Sequence, residues 1–70
     1  MLKADKAAVN WEAAKKRWVV RLQSGEEVIK RPAPKTPRDA NDDVLRTLAI
    51  KTAQEEGYEL DATSVTVGRG

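Results

Sequence analysis

A chain of 70 residues makes one domain at most, and at this size only about 60% of the unfolded surface is buried on folding, so stability is marginal. With no Cys and no His, disulfides, thiolate metal sites, the usual zinc ligand and the usual near-neutral proton shuttle are excluded. The net charge of +2 hides an asymmetry: residues 1–38 hold ten Lys/Arg against four Asp/Glu, net +6, and residues 39–70 hold three against seven, net −4. Such a split marks either a nucleic-acid face or two halves of one fold that attract each other.

Met1-Leu2-Lys3-Ala4-Asp5 has no long apolar segment and is not expected to be a signal peptide; residues 1–8 are expected to form a flexible N-terminus. No apolar run approaches the ~20 residues of a membrane helix, so no membrane partner is expected, and the lack of Cys makes the cytoplasm the default location.

Residues 4–16 support two readings. Ala4, Ala7, Trp11, Ala14 and Trp18 recur at spacings of three and four, and Ala and Lys are strong helix formers. Against a helix, Val9-Asn10-Trp11-Glu12 and Arg17-Trp18-Val19-Val20 flank Ala13-Ala14-Lys15-Lys16, which suits a hairpin with a polar turn. The hairpin is the preferred reading.

From Arg17 to Gln23 the chain alternates, Trp18, Val20 and Leu22 on one face and Arg17, Val19, Arg21 and Gln23 on the other. Ser24-Gly25 is a turn signal, and Glu26–Arg31 reads as the return strand. A two-residue turn there sets Val20 opposite Ile29; a longer loop brings Val28 inward instead, because a one-residue slip exchanges the faces. Pro32-Ala33-Pro34-Lys35 then imposes an extended path.

A helix is expected near residues 37–56. Thr36 reads as its N-cap, Pro37 as its first position and Asp39 as a first-turn acid, with Asn41 a second cap candidate one turn later. Val44, Leu45, Leu48, Ala49, Thr52 and Ala53 fall on one side, and Gly57 ends the helix. Beyond Tyr58-Glu59-Leu60-Asp61, the stretch Ala62–Val67 alternates as a strand, and residues 68–70 are expected to be a flexible C-terminus.

The expected fold is α+β: a three- to four-stranded antiparallel sheet in the order β-β-β-α-β, one helix on one face, spanning residues 9–67 as a single domain. The runner-up order is α-β-β-α-β. The expected core is Trp11, Trp18, Val20, Leu22, Ile29, Val44, Leu45, Leu48, Ala49, Ala53, Leu60, Val65 and Val67.

Catalytic chemistry has little to stand on. Ser24 and Ser64 have no His to activate them. Asp39, Asn41 and Asp43 begin a calcium-loop pattern, but Val44 stands where the turn needs Gly and Ile50 where the bidentate Glu belongs, and helix capping explains the same residues. Glu26-Glu27 and Glu55-Glu56 read as solvated charge, and no glycine motif cradles phosphate. Arg31, Pro34 and Pro37 match a ligand spacing for aromatic-grooved modules, which a connecting loop also explains. No enzyme activity, metal or small-molecule cofactor is expected.

The basic cluster is the best functional lead. Arg17 and Arg21 face outward if Trp18, Val20 and Leu22 face the core; Lys15 and Lys16 lie in the preceding turn and Lys30 or Arg31 on the partner strand. Such a set could follow a phosphate backbone, and a two-stranded ribbon fits a major groove. In layout, residues 9–57 resemble the three-stranded-sheet-plus-helix modules of phage integrase arm-binding domains and plant AP2 domains; the trailing strand, residues 62–67, departs from both. The resemblance implies DNA contact through the sheet. A solvated face explains the same charges. Val19 and Ile50, apolar residues off the expected core, are candidates for a partner or homodimer surface. The expectation is a small non-enzymatic binding module acting in protein interaction or as an accessory protein, with nucleic-acid binding through the basic hairpin as the alternative.

Overall fold

Strict alternation builds the first hairpin. In the computed structural model, which describes residues 2–68, β2 (Lys6–Glu12) and β3 (Arg17–Ser24) pair antiparallel, with Val9 opposite Val20 and Trp11 opposite Trp18. Ala13-Ala14-Lys15-Lys16 form the turn, and Lys16 closes it in the left-handed region at φ 51°. Residues 4–16 are therefore hairpin and not helix. The residues expected as a flexible N-terminus lie, over positions 2–8, in β1 (Leu2–Lys3) and the start of β2. They are tied down by several bonds: Ala4 N–H to Glu59 O at 2.8 Å, Asp5 N–H to Gln23 O at 2.7 Å and Ser24 Oγ to Lys3 O at 3.0 Å.

The second hairpin joins β3 to β4 (Glu27–Ala33). Its turn is two residues long but sits at Gly25-Glu26, one position later than Ser24-Gly25, so Ile29 faces Leu22 and Val20 faces Arg31. This corrects the expected Val20–Ile29 pairing by two residues, an even shift that keeps Ile29 inward and Val28 outward. Gly25, at φ 58°, supplies the positive φ that a tight hairpin turn demands at its first central position, and its N–H is held by Asp5 Oδ2 at 2.6 Å.

The helix α1 runs Asp42–Glu55, and Asn41 is its cap: Asn41 Oδ1 accepts from Val44 N–H at 2.9 Å. No helix starts at Thr36-Pro37, the expected start; the Pro37 carbonyl takes part in a tight turn instead. It accepts Trp18 Nε1–H at 2.8 Å and Ala40 N–H at 3.2 Å, closing a turn in place of a first helical turn. Leu45, Ala49 and Ala53 form the buried row of α1, with Leu48 packed beside it. Val44, expected in the core, is 47% exposed; it lies one step around the helix from the Leu45 row and points off the sheet. Gly57, at φ 86°, ends the helix as expected.

From α1 the chain reaches β5 (Tyr58–Glu59), which pairs parallel with β1, and then β6 (Val65–Gly68). The strand expected over residues 62–67 begins only at Val65, because Asp61 accepts from the Thr63 N–H and hydroxyl, both at 2.9 Å, and winds Ala62–Ser64 into a 3₁₀ turn. These two bonds, backbone first, hold the Asp61 carboxyl below its ordinary pKa.

The main sheet has the order β4-β3-β2-β6 and is mixed, not antiparallel: β6 runs parallel to β2. The connection explains this. β4 runs with β2, α1 returns across one face of the sheet, and β6 then runs in the direction of β4 and β2, as any strand–helix–strand crossover requires. The core lies between sheet and helix. Trp18, Val20, Val9, Leu22 and Leu45 are its largest fully buried side chains, and each aliphatic one contributes about 1.5–3 kcal/mol. Ala4, Ala7, Val9, Ala40 and Tyr58 are buried beyond the expected set.

Candidate functional site

One helix covers one face of the sheet, so the other face is open to solvent. The strand register arranges that open face in rows across the strands. At the hairpin tip Glu12 stands beside Arg17, with Lys15 and Lys16 just beyond in the turn. The next row is Gly68, Asn10, Val19 and Pro32; the next is Thr66, Ala8, Arg21 and Lys30; the last holds Lys6, Gln23 and Val28.

Of the five expected cations, Arg17, Arg21 and Lys30 share this face, and Lys15 and Lys16 are exposed at its tip. Their electrostatic situations differ. Arg17 is half-buried and paired with Glu12, Nε to Oε1 at 3.1 Å. Arg21 and Lys30 are direct cross-strand neighbours, a like-charge juxtaposition that disfavours the pair unless an anion joins it. Among the described residues, no carboxylate lies within ion-pair distance of Arg21, Lys30 or Lys6. The acidic half of the chain reaches the basic half elsewhere: Glu56 pairs with Arg31 on the helix side of β4, and Arg46 pairs within the helix with Asp43 at 3.5 Å.

Two shallow depressions flank Arg21. One, about 250 Å³, is lined by Lys6, Ala8, Arg21, Gln23 and Thr66; the other, about 350 Å³, by Asn10, Trp11, Glu12, Val19, Arg21 and Lys30. Lys6 and Asn10 were not among the expected site residues. Their signal lies in the same alternation: Ala7, Val9 and Trp11 face inward, which turns Lys6, Ala8 and Asn10 outward. Treating residues 1–8 as a flexible terminus hid it.

The aromatic residues do not take part. Trp18 is 1% exposed and Tyr58 is buried. Trp11 lies on the helix side, edge-on to Trp18 with ring centroids 5.3 Å apart and with the Arg38 guanidinium 5.1 Å from its ring centre. The open face thus offers cations, the Glu12 carboxylate, small residues and amides, with the indole rings turned to the helix side.

The β4 edge is poorly suited to pairing. In a two-residue hairpin Ser24 and Glu27 form the first narrow pair, so the peptide groups of Val28, Lys30 and Pro32 turn away from β3. Pro32 has no N–H there, and the Lys30 carbonyl accepts from Arg31 Nη1 at 3.0 Å. Both features deter edge-to-edge addition.

Val19 and Ile50, the candidates for a partner surface, are not brought together. Val19 sits half-buried on the open face, whereas Ile50 is half-buried on the helix that covers the opposite face. Among the described residues no group of three or more His, Cys, Asp or Glu could hold a metal, and no helix is long and apolar enough to cross a membrane.

Comparison with protein-family models, with curated proteins and with solved structures gives no match to this chain.

Proposed function

We propose that this protein is a non-enzymatic nucleic-acid-binding module that grips a phosphate backbone through the uncovered face of its sheet. The observation that carries the proposal is the cross-strand pair Arg21 and Lys30, with Lys6 one row away, exposed and without a carboxylate partner among the described residues. Repulsion within that pair is relieved by a bound anion, and a phosphate suits both a guanidinium and an ammonium group. Base stacking is not the means of recognition, because the tryptophans and the tyrosine are turned to the other side; a single strand held on aromatic platforms needs them exposed. The double helix is therefore the favoured form.

The distances along the sheet favour the same ligand. Arg17 and Arg21 are four residues apart on one strand, about 13 Å at ~3.3 Å per residue, and Lys15 and Lys16 lie further out. The major groove is about 12 Å wide. The tip cations can meet one backbone while Lys6, Arg21 and Lys30 meet the other. An acidic protein surface is the competing occupant; nothing in the spacing favours it, and Val19 and Ile50 do not unite into an apolar patch.

The test is a titration of a 16-base-pair duplex DNA at several salt concentrations. Binding is expected to weaken linearly in log–log form, and Arg21→Ala and Lys30→Ala are each expected to reduce the slope by about 0.9. No binding even at low salt, or a slope that neither substitution changes, overturns the proposal.

A further inference from the structure

We propose, resting on the nucleic-acid reading above, that Asn10 and Val19 form a base-reading pair selective for A·T and that Gly68 exists to seat the Asn10 amide. The register sets Asn10 directly opposite Val19, with Gly68 on the far side of Asn10 and Pro32 on the far side of Val19. That row is neutral and lies between the Arg21–Lys30 row and the hairpin tip, each about two residues or ~6.6 Å away along the strands; at the tip Glu12 offsets Arg17, and Lys15 and Lys16 lie beyond. A face whose flanking cations rest on the two backbones brings its middle row to the floor of the groove.

The chemistry of the middle row is specific. Asn10 is exposed, and its side-chain amide has no hydrogen-bond partner among the described residues. A carboxamide donates to adenine N7 and accepts from adenine N6–H at once, which no other base allows in the same orientation. Val19 is half-buried beside it, with a cross-strand Cβ separation of about 5 Å. An apolar group there meets the thymine methyl of the same base pair. Asn10 and Val19 thus complement the two halves of one A·T edge.

Gly68 fits this role by what it lacks. A Cβ built at Gly68 overlaps Asn10 Oδ1, although the position needs no positive φ. The room that the glycine leaves is taken by the neighbouring amide, and its own backbone makes no demand for glycine. Any side chain at this position would push the Asn10 amide out of the row.

The experiment compares the full chain on two 16-base-pair duplexes of mixed sequence, one of A·T pairs only and one of G·C pairs only. A third duplex carries 7-deazaadenine, which removes the N7 acceptor in the major groove and leaves pairing and the minor groove intact. The wild-type chain is expected to favour the A·T duplex about 5- to 150-fold and to lose most of that margin on the 7-deaza duplex. Asn10→Ala and Gly68→Ala are each expected to abolish the preference while leaving the salt slope unchanged, and the double substitution is expected to do no more than either alone. Equal binding of both duplexes by the wild type, or an A·T preference that persists in Asn10→Ala, overturns the base-reading role while phosphate binding stands. Failure of the wild type to bind any duplex overturns both.

Discussion

The indole N–H of Trp18 donates to the carbonyl oxygen of Pro37 at 2.8 Å, tying the middle of the sheet to the loop that enters the helix. The same carbonyl closes the Ala40 turn that precedes α1, and the helix starts after its cap, Asn41. Trp18 also fills the core, 1% exposed and edge-on to Trp11. Trp18→Ala is expected to cost about 3–5 kcal/mol, enough to unfold a domain of marginal stability. A urea or thermal melt that moves by no more than a few degrees would contradict this.

The two cap candidates separate cleanly. Asn41→Ala is expected to destabilise by about 1 kcal/mol, because it leaves the Val44 N–H without its acceptor. Thr36→Ala is expected to stay within about 0.5 kcal/mol, since Thr36 caps nothing. Parallel urea denaturation of the two variants measures both. Equal losses would mean that the helix starts a turn earlier.

Glu12 restrains the binding face. Its carboxylate holds Arg17 at 3.1 Å, so a phosphate must compete for that guanidinium. Glu12→Gln is expected to tighten duplex binding and to steepen the salt slope by about 0.9, one additional phosphate contact. Salt titration of the variant beside the wild type reads this directly; unchanged affinity and slope would place Arg17 outside the contact.

Tyr58 offers a spectroscopic check on the packing of β5 against the sheet. Its hydroxyl donates to Glu27 Oε2 at 3.0 Å, and this bond, then burial, then the charges of Glu27 and Glu56 raise its pKa above 10.0. For a raised folded pKa, the stabilisation is complete below the unfolded value and is lost as pH rises through the folded one. As the chain has one Tyr, tyrosinate absorbance reports this residue alone. Its midpoint is expected above that of the unfolded chain in urea, and Glu27→Gln is expected to lower it. Coincident folded and unfolded titrations would show that the contact is absent in solution.

Much of the fold was legible where the signal is local. The period of two in residues 17–23 assigned Trp18, Val20 and Leu22 to the core and Arg17 and Arg21 to the opposite face, and the sheet has them so, although Arg17 is half-buried against Glu12 and only Arg21 is exposed. The buried row Leu45, Ala49, Ala53 and the stop at Gly57 were equally plain. Other features escaped because two signals competed. Thr36-Pro37 is a good helix start in isolation, yet the chain closes a turn from Pro37 to Ala40 there, on an oxygen that also accepts the Trp18 indole from 19 residues away. The hairpin turn moved one position because Gly25 and not Ser24 supplies the left-handed first residue.

By itself the sequence determined which side of β3 meets the helix, since side chains alternate whatever the strand's neighbours are; for β4 it left Val28 and Ile29 as alternatives. It also determined that a basic half is followed by an acidic one. Only the tertiary structure decided who the neighbours are. The parallel seating of β6 beside β2 puts Gly68 next to Asn10, and the second hairpin puts Lys30 next to Arg21. The order of strands arises from long-range hydrogen bonding between peptide groups that are chemically alike at every residue, so no local pattern announces it. The open face, with its neutral row between cations, came into being only when the helix chose the other side.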